Sequence, residues 1–237
     1  MVNNRVIAVA TSAAPELKNG KKTGLWLSEL THFLGPMVDA GFDYDIASPN
    51  GGKIPLDEDS STVKQRNDPV NARFLADPTF NAKLENSLKC SQVDPSKYDA
   101  IYLSGGHGTM FDYRQSESLQ GLIRAMYKAN AYVTGVCHGV SAIIETADDA
   151  GQPIVKGRTV TGFSNIEDMI AGVTKLMPFL LESELKKSGA HYRKNFLPFT
   201  ERVETDGKLI TGQNPQSAKG VGRALLTALR RSPSRAA

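Results

Sequence analysis

The stretch that decides the fold is AYVTGVCHGVSAIIE, Ala131 to Glu145. An apolar run typical of a buried strand stops at Cys137 and His138, and a glycine stands two residues to either side of the cysteine. This G-x-C-x-G pattern follows the logic of the G-x-S-x-G nucleophile elbow, in which small flanking residues allow a sharp strand-to-helix turn. The pattern therefore predicts that Cys137 projects above the edge of a sheet as a nucleophile.

The rest of the chain alternates short apolar runs with longer amphipathic segments, which predicts βαβ units and a mostly parallel sheet. Strands are predicted at 5–12, 44–48, 99–106 and 131–137, with a strand pair at 153–163 turning at Lys156-Gly157 and a hairpin at 202–214. Helices are predicted at 24–41, 116–130, 138–147, 165–189 with a break between Gly172 and Pro178, and 215–231. The predicted organisation is one α/β domain over 1–231, a polar insertion at 49–98 that packs beside it and rims a pocket, and a disordered tail at 232–237.

The composition is that of a soluble globular protein, with 237 residues, 40% of them hydrophobic and 22% charged. A formal net charge of +3 is too small to indicate nucleic acid or an anionic membrane as a partner. No run approaches the roughly 18 apolar residues that span a bilayer, and the first apolar run is too short for a signal peptide. With only two cysteines, the sequence favours a cytoplasmic protein whose thiols stay reduced.

The thiol of Cys137 has two interpretations. A helix N-terminus directly after the elbow would lower its pKa and favour a thiolate at neutral pH. The alternative is a buried, inert cysteine that happens to end a strand. Cys90 lies in the polar insertion without an elbow or a neighbouring histidine, so we interpret it as incidental.

Backbone amides near Cys137 are candidates for an oxyanion hole. The N–H of His138 is one donor, while its side chain is either a base or a helix cap. The segment SGGHG ends the preceding strand, and the N–H of Gly106 is the predicted second donor. His107 and His138 are also predicted to contact the substrate. The alternative for the SGGHG segment is a plain glycine-rich turn. The histidines and cysteines show no metal-ligand clustering, so neither a metal nor an organic cofactor is predicted.

Three carboxylates are candidates for proton transfer or orientation. Glu29 lies at the margin of the apolar face of the first helix, where partial burial would raise its pKa towards neutrality; a solvent-edge glutamate is the alternative. Glu167 and Asp168 begin a helix, where acidic residues are ordinary dipole partners. A histidine base needs an orienting acceptor, and this pair is available for it.

Taken together, the segments KTGLWLSEL, SGGHGTMFD, GVCHG and GFSNIED resemble the ThiJ/PfpI superfamily over residues 5 to 229. They are most similar to its heat-inducible chaperones that are also glutathione-independent glyoxalases. The resemblance implies a flavodoxin-like three-layer sandwich related to class I glutamine amidotransferases, with an insertion after the second strand. It also implies that Cys137 is the nucleophile, with His138 adjacent, Glu29 as general acid/base, and Asp168 or Glu167 as the third carboxylate.

The function implied is a cofactor-independent lyase of the D-lactate dehydratase type that converts the small aldehyde methylglyoxal to lactate, in a homodimer that also serves as a stress chaperone. One alternative is a cysteine peptidase or amidase of the same superfamily. Another is a non-catalytic holdase chaperone or a redox sensor, in which Glu29 stabilises an oxidised Cys137.

Overall fold

The computed structural model describes residues 3–17 and 20–231, in which a seven-stranded sheet has the order β3-β2-β1-β4-β5-β9-β8. The strands of this sheet are β1 Arg5–Val9, β2 Asp43–Ser48, β3 Leu88–Lys89, β4 Ala100–Leu103, β5 Tyr132–Val136, β8 Val203–Asp206 and β9 Leu209–Gly212. All neighbours are parallel except β8 and β9. A separate parallel pair joins β6 Thr159–Val160 to β7 His191–Tyr192. The predicted mostly parallel sheet is confirmed.

Helices cover both faces of the sheet, as a flavodoxin-like sandwich requires. They are α1 Leu27–Asp39, α2 Val63–Arg66, α3 Pro69–Leu75, α4 Pro78–Glu85, α5 Thr109–Asp112, α6 Glu117–Lys128, α7 Asn165–Ile170, α8 Leu181–Lys187 and α9 Ala218–Arg231. Helices α1 and α9 pack against each other, whereas α6 contacts β4 and β5. No helix in the described ranges is both long and apolar enough to cross a bilayer.

The strand order reverses between β1 and β4, because β1 continues to β2 on one side while the later strands are added on the other. Ligands of open α/β sheets bind outside the carboxyl ends of the strands at such a switch point. Strands β1, β4 and β5 are the buried centre of the sheet, and residues 6–9 and 100–103 are entirely inaccessible to solvent. This core fixes the three loops from which the site is built.

The polar segment 49–98 forms three short helices and three 3₁₀ turns, and it also contributes β3 to the edge of the main sheet. Helices α3 and α4 each begin with an aspartate whose side chain accepts from the first-turn amides, followed by a proline at the first helical position. These local signals explain why so polar a segment is ordered. The segment reaches the pocket through Asp57, Asp59 and Gln65.

The structure changes two of the predicted elements and confirms a predicted break. The strand pair predicted at 153–163 is wrong: residues 154–157 form a turn, and only Thr159–Val160 is a strand. It pairs with the distant β7, where the amides of His191 and Arg193 donate to the carbonyls of Arg158 and Val160 at 2.8 Å each. The helix predicted at 138–147 is a 3₁₀ helix over Cys137–Ile143. The break predicted in 165–189 is confirmed between α7 and α8. The tail predicted to be disordered, 232–237, lies outside the described residues.

Candidate active site

The elbow places Cys137 at the carboxyl end of β5 in a left-handed backbone conformation, with φ of +54°. Such a φ is unusual for a residue with a side chain and marks stored strain at functional turns. Gly139, two residues after Cys137, allows the turn to pack against β4. A Cβ at this position would lie 2.3 Å from the carbonyl oxygen of Leu103. Only a residue without a side chain fits against β4 at this point.

Burial raises the pKa of the Cys137 thiol well above its usual value, and the negative charge of ionised Glu29 raises it further. The backbone N–H of His138 donates towards the sulfur and opposes this rise. The sequence prediction of a thiol acidified by an α-helix N-terminus is therefore wrong for the resting site. The element after the cysteine is a short 3₁₀ helix, and the sulfur lies in a largely dry environment, with Cys137 only 4% exposed.

Glu29 lies on the first turn of α1, completely buried. Its Oε2 accepts a hydrogen bond of 2.8 Å from the backbone N–H of Gly105, and Oε1 has no hydrogen-bond partner of good geometry within the described chain. Burial raises the pKa of Glu29 to about 8, and the interaction with the Cys137 thiol acts in the opposite direction. The sequence prediction of a carboxyl group with a raised pKa is confirmed, and its burial is deeper than predicted.

Glu29 and Cys137 are therefore two buried groups whose protonation states depend on each other. With the carboxyl group ionised, the proton stays on sulfur. With the carboxyl group protonated, the repulsive charge disappears and its O–H becomes a donor to the sulfur, which stabilises a thiolate. Because the pKa of Glu29 is about 8, both forms are accessible at neutral pH.

His138 connects the thiol to a carboxylate. Its Nδ1 lies 3.5 Å from Sγ of Cys137, and its Nε2 lies 3.0 Å from Oδ1 of Asp168. Burial lowers the pKa of His138, although Asp168 acts in the opposite direction, so the imidazole is neutral at neutral pH. A proton on Nε2, donated to Asp168, leaves the lone pair of Nδ1 facing the sulfur, which is the arrangement of a nucleophile, base and orienting acid.

The choice between Glu167 and Asp168 is decided by their contacts. Asp168 contacts His138, whereas Glu167 forms a reciprocal cap with Ser164 at the start of α7. The carboxylate of Glu167 also accepts from the side-chain amides of Gln213 and Asn214 at 3.0 and 2.9 Å. Glu167 is therefore a structural anchor that holds α7, and with it Asp168, against the loop after β9.

The glycine-rich segment after β4 faces the same cavity. Gly106 has φ of +107°, and a Cβ there would lie 2.2 Å from the carbonyl oxygen of Gly24, so only glycine fits. No hydrogen bond among the described residues uses the N–H of Gly106. His107 follows, with its Nδ1 3.8 Å from Oδ2 of Asp57 and its ring centroid 4.8 Å from that of His138.

The sequence shows no metal-ligand spacing, but the fold brings three residues with potential ligand atoms together. One ligand atom each of His107, His138 and Asp168 lie within 4.8 Å of one another. The three residues come from three distant segments of the chain, so their spacing in the sequence carries no sign of the cluster.

The cavity in front of the thiol has a volume of about 450 Å³. Its walls are both polar and aromatic, and the residues that line it around the thiol are Trp26, Glu29, Gly106, His107, Cys137, His138, Phe163 and Phe199. The ring of Phe163 lies 4.5 Å from that of His138, which limits how far the imidazole can turn. The cavity thus brings all the predicted site residues to one place, with Asp168 directly behind His138.

Sequence reasoning missed the residues that support this site. Oδ2 of Asp57 lies 3.8 Å from Nδ1 of His107, and the Asp57 carboxylate accepts from the Thr23 hydroxyl at 2.8 Å and the Asp59 amide at 3.0 Å. Phe163 was visible only as part of the GFSN motif. No local pattern marks Asp57, because its partner lies fifty residues further along the chain.

Comparisons with known proteins identify relatives of this chain. The sequence model of the DJ-1/PfpI family matches residues 23–228. "Glyoxalase 3" of Candida albicans is 35% identical over 84% of this chain and 87% of its own length. "Glutathione-independent glyoxalase HSP31" of Saccharomyces cerevisiae is 32% identical, covering 90% of this chain and 92% of its own. The X-ray structure of the Francisella tularensis Rapid Encystment Protein 24 KDa superposes with a TM-score of 0.90 at 39% identity, over 97% of this chain and 99% of that chain.

The chain belongs to the DJ-1/PfpI family. The resemblance inferred from its four motifs is therefore confirmed.

Proposed function

We propose that this DJ-1/PfpI-family chain is a glutathione-independent glyoxalase, which converts methylglyoxal and water to lactate without a cofactor. The observation that carries the proposal is the pairing of a buried thiol with a buried carboxyl group whose pKa is about 8. One group supplies a nucleophile and the other a proton carrier that changes charge near neutral pH. The relatives named as glyoxalases support the same activity.

The reaction begins when the sulfur of Cys137 becomes a thiolate. Its proton passes either to Glu29 or to Nδ1 of His138, which lies 3.5 Å away. The thiolate adds to the aldehyde carbon of methylglyoxal, and the carbonyl oxygen takes up a proton to give a hemithioacetal. Backbone N–H groups of Gly106 and His138 are proposed to stabilise the developing oxyanion, at about 3 kcal/mol for each donor.

The hydrogen atom on the former aldehyde carbon then leaves as a proton to Glu29 or His138. The resulting enediol is reprotonated at the neighbouring carbon, while the oxygen on the sulfur-bearing carbon loses its proton. The product is a lactoyl thioester of Cys137. One carbon is oxidised and its neighbour reduced within the same molecule, so no external oxidant or reductant is needed.

Water finally attacks the thioester, with His138 as the base that accepts its proton, and Asp168 stabilises the imidazolium. Lactate leaves, and the Cys137 thiol is restored. Asp168 acts in this scheme as a positioning residue, because it contacts the imidazole and not the substrate.

The geometry favours a small carbonyl compound over a peptide. Cys137 is only 4% exposed and lines a cavity of about 450 Å³. An extended peptide must bring its backbone to the nucleophile, whereas a three-carbon aldehyde diffuses into the cavity. The peptidase or amidase alternative therefore has less support.

The test is lactate production from methylglyoxal in the absence of glutathione. Wild type and Cys90→Ala should produce lactate, and Cys137→Ala should not. Cys90 is a suitable control, because it is buried, its pKa is raised to about 12 by burial, and it does not line the cavity. Lactate production that survives in Cys137→Ala would overturn the proposal. Cleavage of a fluorogenic peptide in place of aldehyde consumption would favour the peptidase.

A second candidate function, a holdase chaperone, is favoured by exposed apolar side chains beside the cavity. Phe196 is 97% exposed, and Leu197, Met169 and Ile170 are each more than half exposed. The hydrogen bond from the Phe199 amide to Glu167 connects the segment that carries Phe196 and Leu197 to α7, which carries Met169 and Ile170. Suppression of client aggregation should persist in Cys137→Ala and fall in Phe196→Ser; equal suppression by both variants would argue against this surface. The predicted homodimer and cytoplasmic location stay predictions, which sedimentation velocity and cell fractionation would test.

A further inference from the structure

We propose that His107, His138 and Asp168 form a binding site for a divalent transition-metal ion such as Zn²⁺, and that an ion bound there prevents His138 from accepting the proton of Cys137. The three residues each offer a ligand atom within 4.8 Å of the others. Imidazole nitrogens and carboxylate oxygens are ligands that zinc prefers. The inference concerns metal binding and does not depend on which substrate the thiol attacks.

Two atoms of this cluster have no partner within the described residues. Nε2 of His107 and Oδ2 of Asp168 are both buried without a hydrogen bond. Asp168 is completely inaccessible to solvent, so its free oxygen is an unpaired buried acceptor. Buried polar atoms without partners are uncommon in proteins, and each one needs an explanation. A cation that binds both atoms would satisfy them together.

The surroundings of His107 match those of a metal ligand. Histidines that bind a metal through one nitrogen usually direct the other towards a carboxylate, which fixes the ring. Nδ1 of His107 faces Asp57, and Asp57 is itself held by Thr23 and by the Asp59 amide.

Zinc bonds of about 2.0–2.2 Å at a tetrahedral angle place two ligand atoms of one ion about 3.4 Å apart. The cluster must therefore contract by up to about 1.4 Å at its widest separation of up to 4.8 Å. The 3.8 Å between His107 and Asp57 is longer than a hydrogen bond, so the imidazole has freedom to make this movement. With three protein ligands, one position of a tetrahedral ion stays open to the cavity.

Coordination and base catalysis by His138 exclude each other. A neutral imidazole carries one N–H, and coordination through Nε2 places that proton on Nδ1. Since Nδ1 is the atom 3.5 Å from the sulfur, the lone pair that would accept the thiol proton is lost. The ion also displaces the His138 proton from the hydrogen bond to Asp168.

The experiment measures binding of Zn²⁺ to the purified protein by titration calorimetry, with the absorption of bound Co²⁺ as a report on geometry. We expect one ion per chain, a tetrahedral Co²⁺ spectrum, and at least a tenfold loss of affinity in His107→Gln and in Asp168→Asn. The matched control is His32→Gln, because His32 lines the same cavity but its Nε2 is paired with Asp68 at 2.9 Å. This control should bind like wild type.

Unchanged affinity in His107→Gln would overturn the proposal, and so would an equal loss in His32→Gln. His107 is partly exposed, so its variant should fold even if Asp168→Asn does not, and urea unfolding checks both. Lactate assays are not needed for these outcomes. A protein that fails to make lactate but binds Zn²⁺ as described would refute the glyoxalase and leave the metal site intact.

Discussion

Replacing Gly139 by alanine should displace the nucleophile, because the elbow has no space for a methyl group. A Cβ at this position would lie 2.3 Å from the Leu103 carbonyl oxygen and 2.7 Å from that of Ser104. Both atoms belong to the backbone at the end of β4 and cannot rotate away. Real Cβ atoms essentially never approach closer than 3.0 Å, so the turn or the strand must move by about 0.7 Å.

The size of the effect follows from this movement. Overpacking of a well-filled core costs about 1–3 kcal/mol of unfolding free energy. Misplacement of a catalytic group by about 1 Å lowers the rate about 100-fold, so a loss of tens of fold to 100-fold is expected for methylglyoxal consumption. Gly139 is not among the glycines with positive φ, so alanine adds no backbone strain and the effect is steric.

The assay pairs urea unfolding with the initial rate of methylglyoxal loss and with the rate of Cys137 alkylation. The control is Gly121→Ala in helix α6, where a Cβ meets nothing within 4 Å. That variant should be more stable by about 0.5–1 kcal/mol and fully active. A Gly139→Ala protein with wild-type stability, turnover and alkylation would refute the claim that close packing on β4 positions the thiol.

Three further predictions follow from charges and caps. Glu29→Gln should reduce the decrease in unfolding free energy that the wild type shows between pH 6 and 8. The wild-type carboxyl group, with its pKa raised to about 8, binds its proton more tightly in the folded state than in the unfolded state. Its contribution to stability is therefore full at low pH and lost as the pH approaches 8. The difference between the urea midpoints at pH 6 and pH 8 measures this effect, and an equal difference in both proteins would contradict it. Asp112, with a pKa raised to about 6, loses its own contribution to stability as the pH rises towards 6, and it does so in both proteins. Asp168→Asn should lower lactate turnover at least about 100-fold with a smaller change in KM, because His138 loses its orienting acceptor; turnover within threefold of wild type would remove Asp168 from the mechanism. Ser164→Ala should cost about 1 kcal/mol in urea unfolding through loss of the α7 cap, whereas an unchanged midpoint would mean that Gln213 and Asn214 alone hold Glu167.

Much of the fold was predictable because its signals are local. Residues 131–137 read as a strand from apolar content, and Gly41, with φ of +81°, ends α1 as predicted. The hairpin at Asp206-Gly207 formed where its turn signal stands. The strand pair predicted at 153–163 failed, because the partner of Thr159–Val160 is β7, some thirty residues later.

The site was predictable in its residues but not in its energetics. Motifs and family resemblance indicated Cys137, His138, Glu29 and Asp168, which the fold brings together. The rise in the pKa of Cys137 depends on burial by residues from other segments of the chain, a tertiary property that the G-x-C-x-G pattern does not carry. Pairing of His107 with Asp57 likewise depends on which loops meet at the sheet edge.

Because β9 follows β5 by about 70 residues in the chain but pairs with it in the sheet, the site around the thiol is completed only late in synthesis. Strand β5 and its elbow leave the ribosome well before β9, which pairs directly with β5, and before Gln213 and Asn214, which anchor Glu167. A nascent chain that has reached residue 200 thus carries its cysteine without the completed triad support. Arrested or truncated translation products should consequently form no lactate from methylglyoxal, and lactate formation would report on finished chains alone.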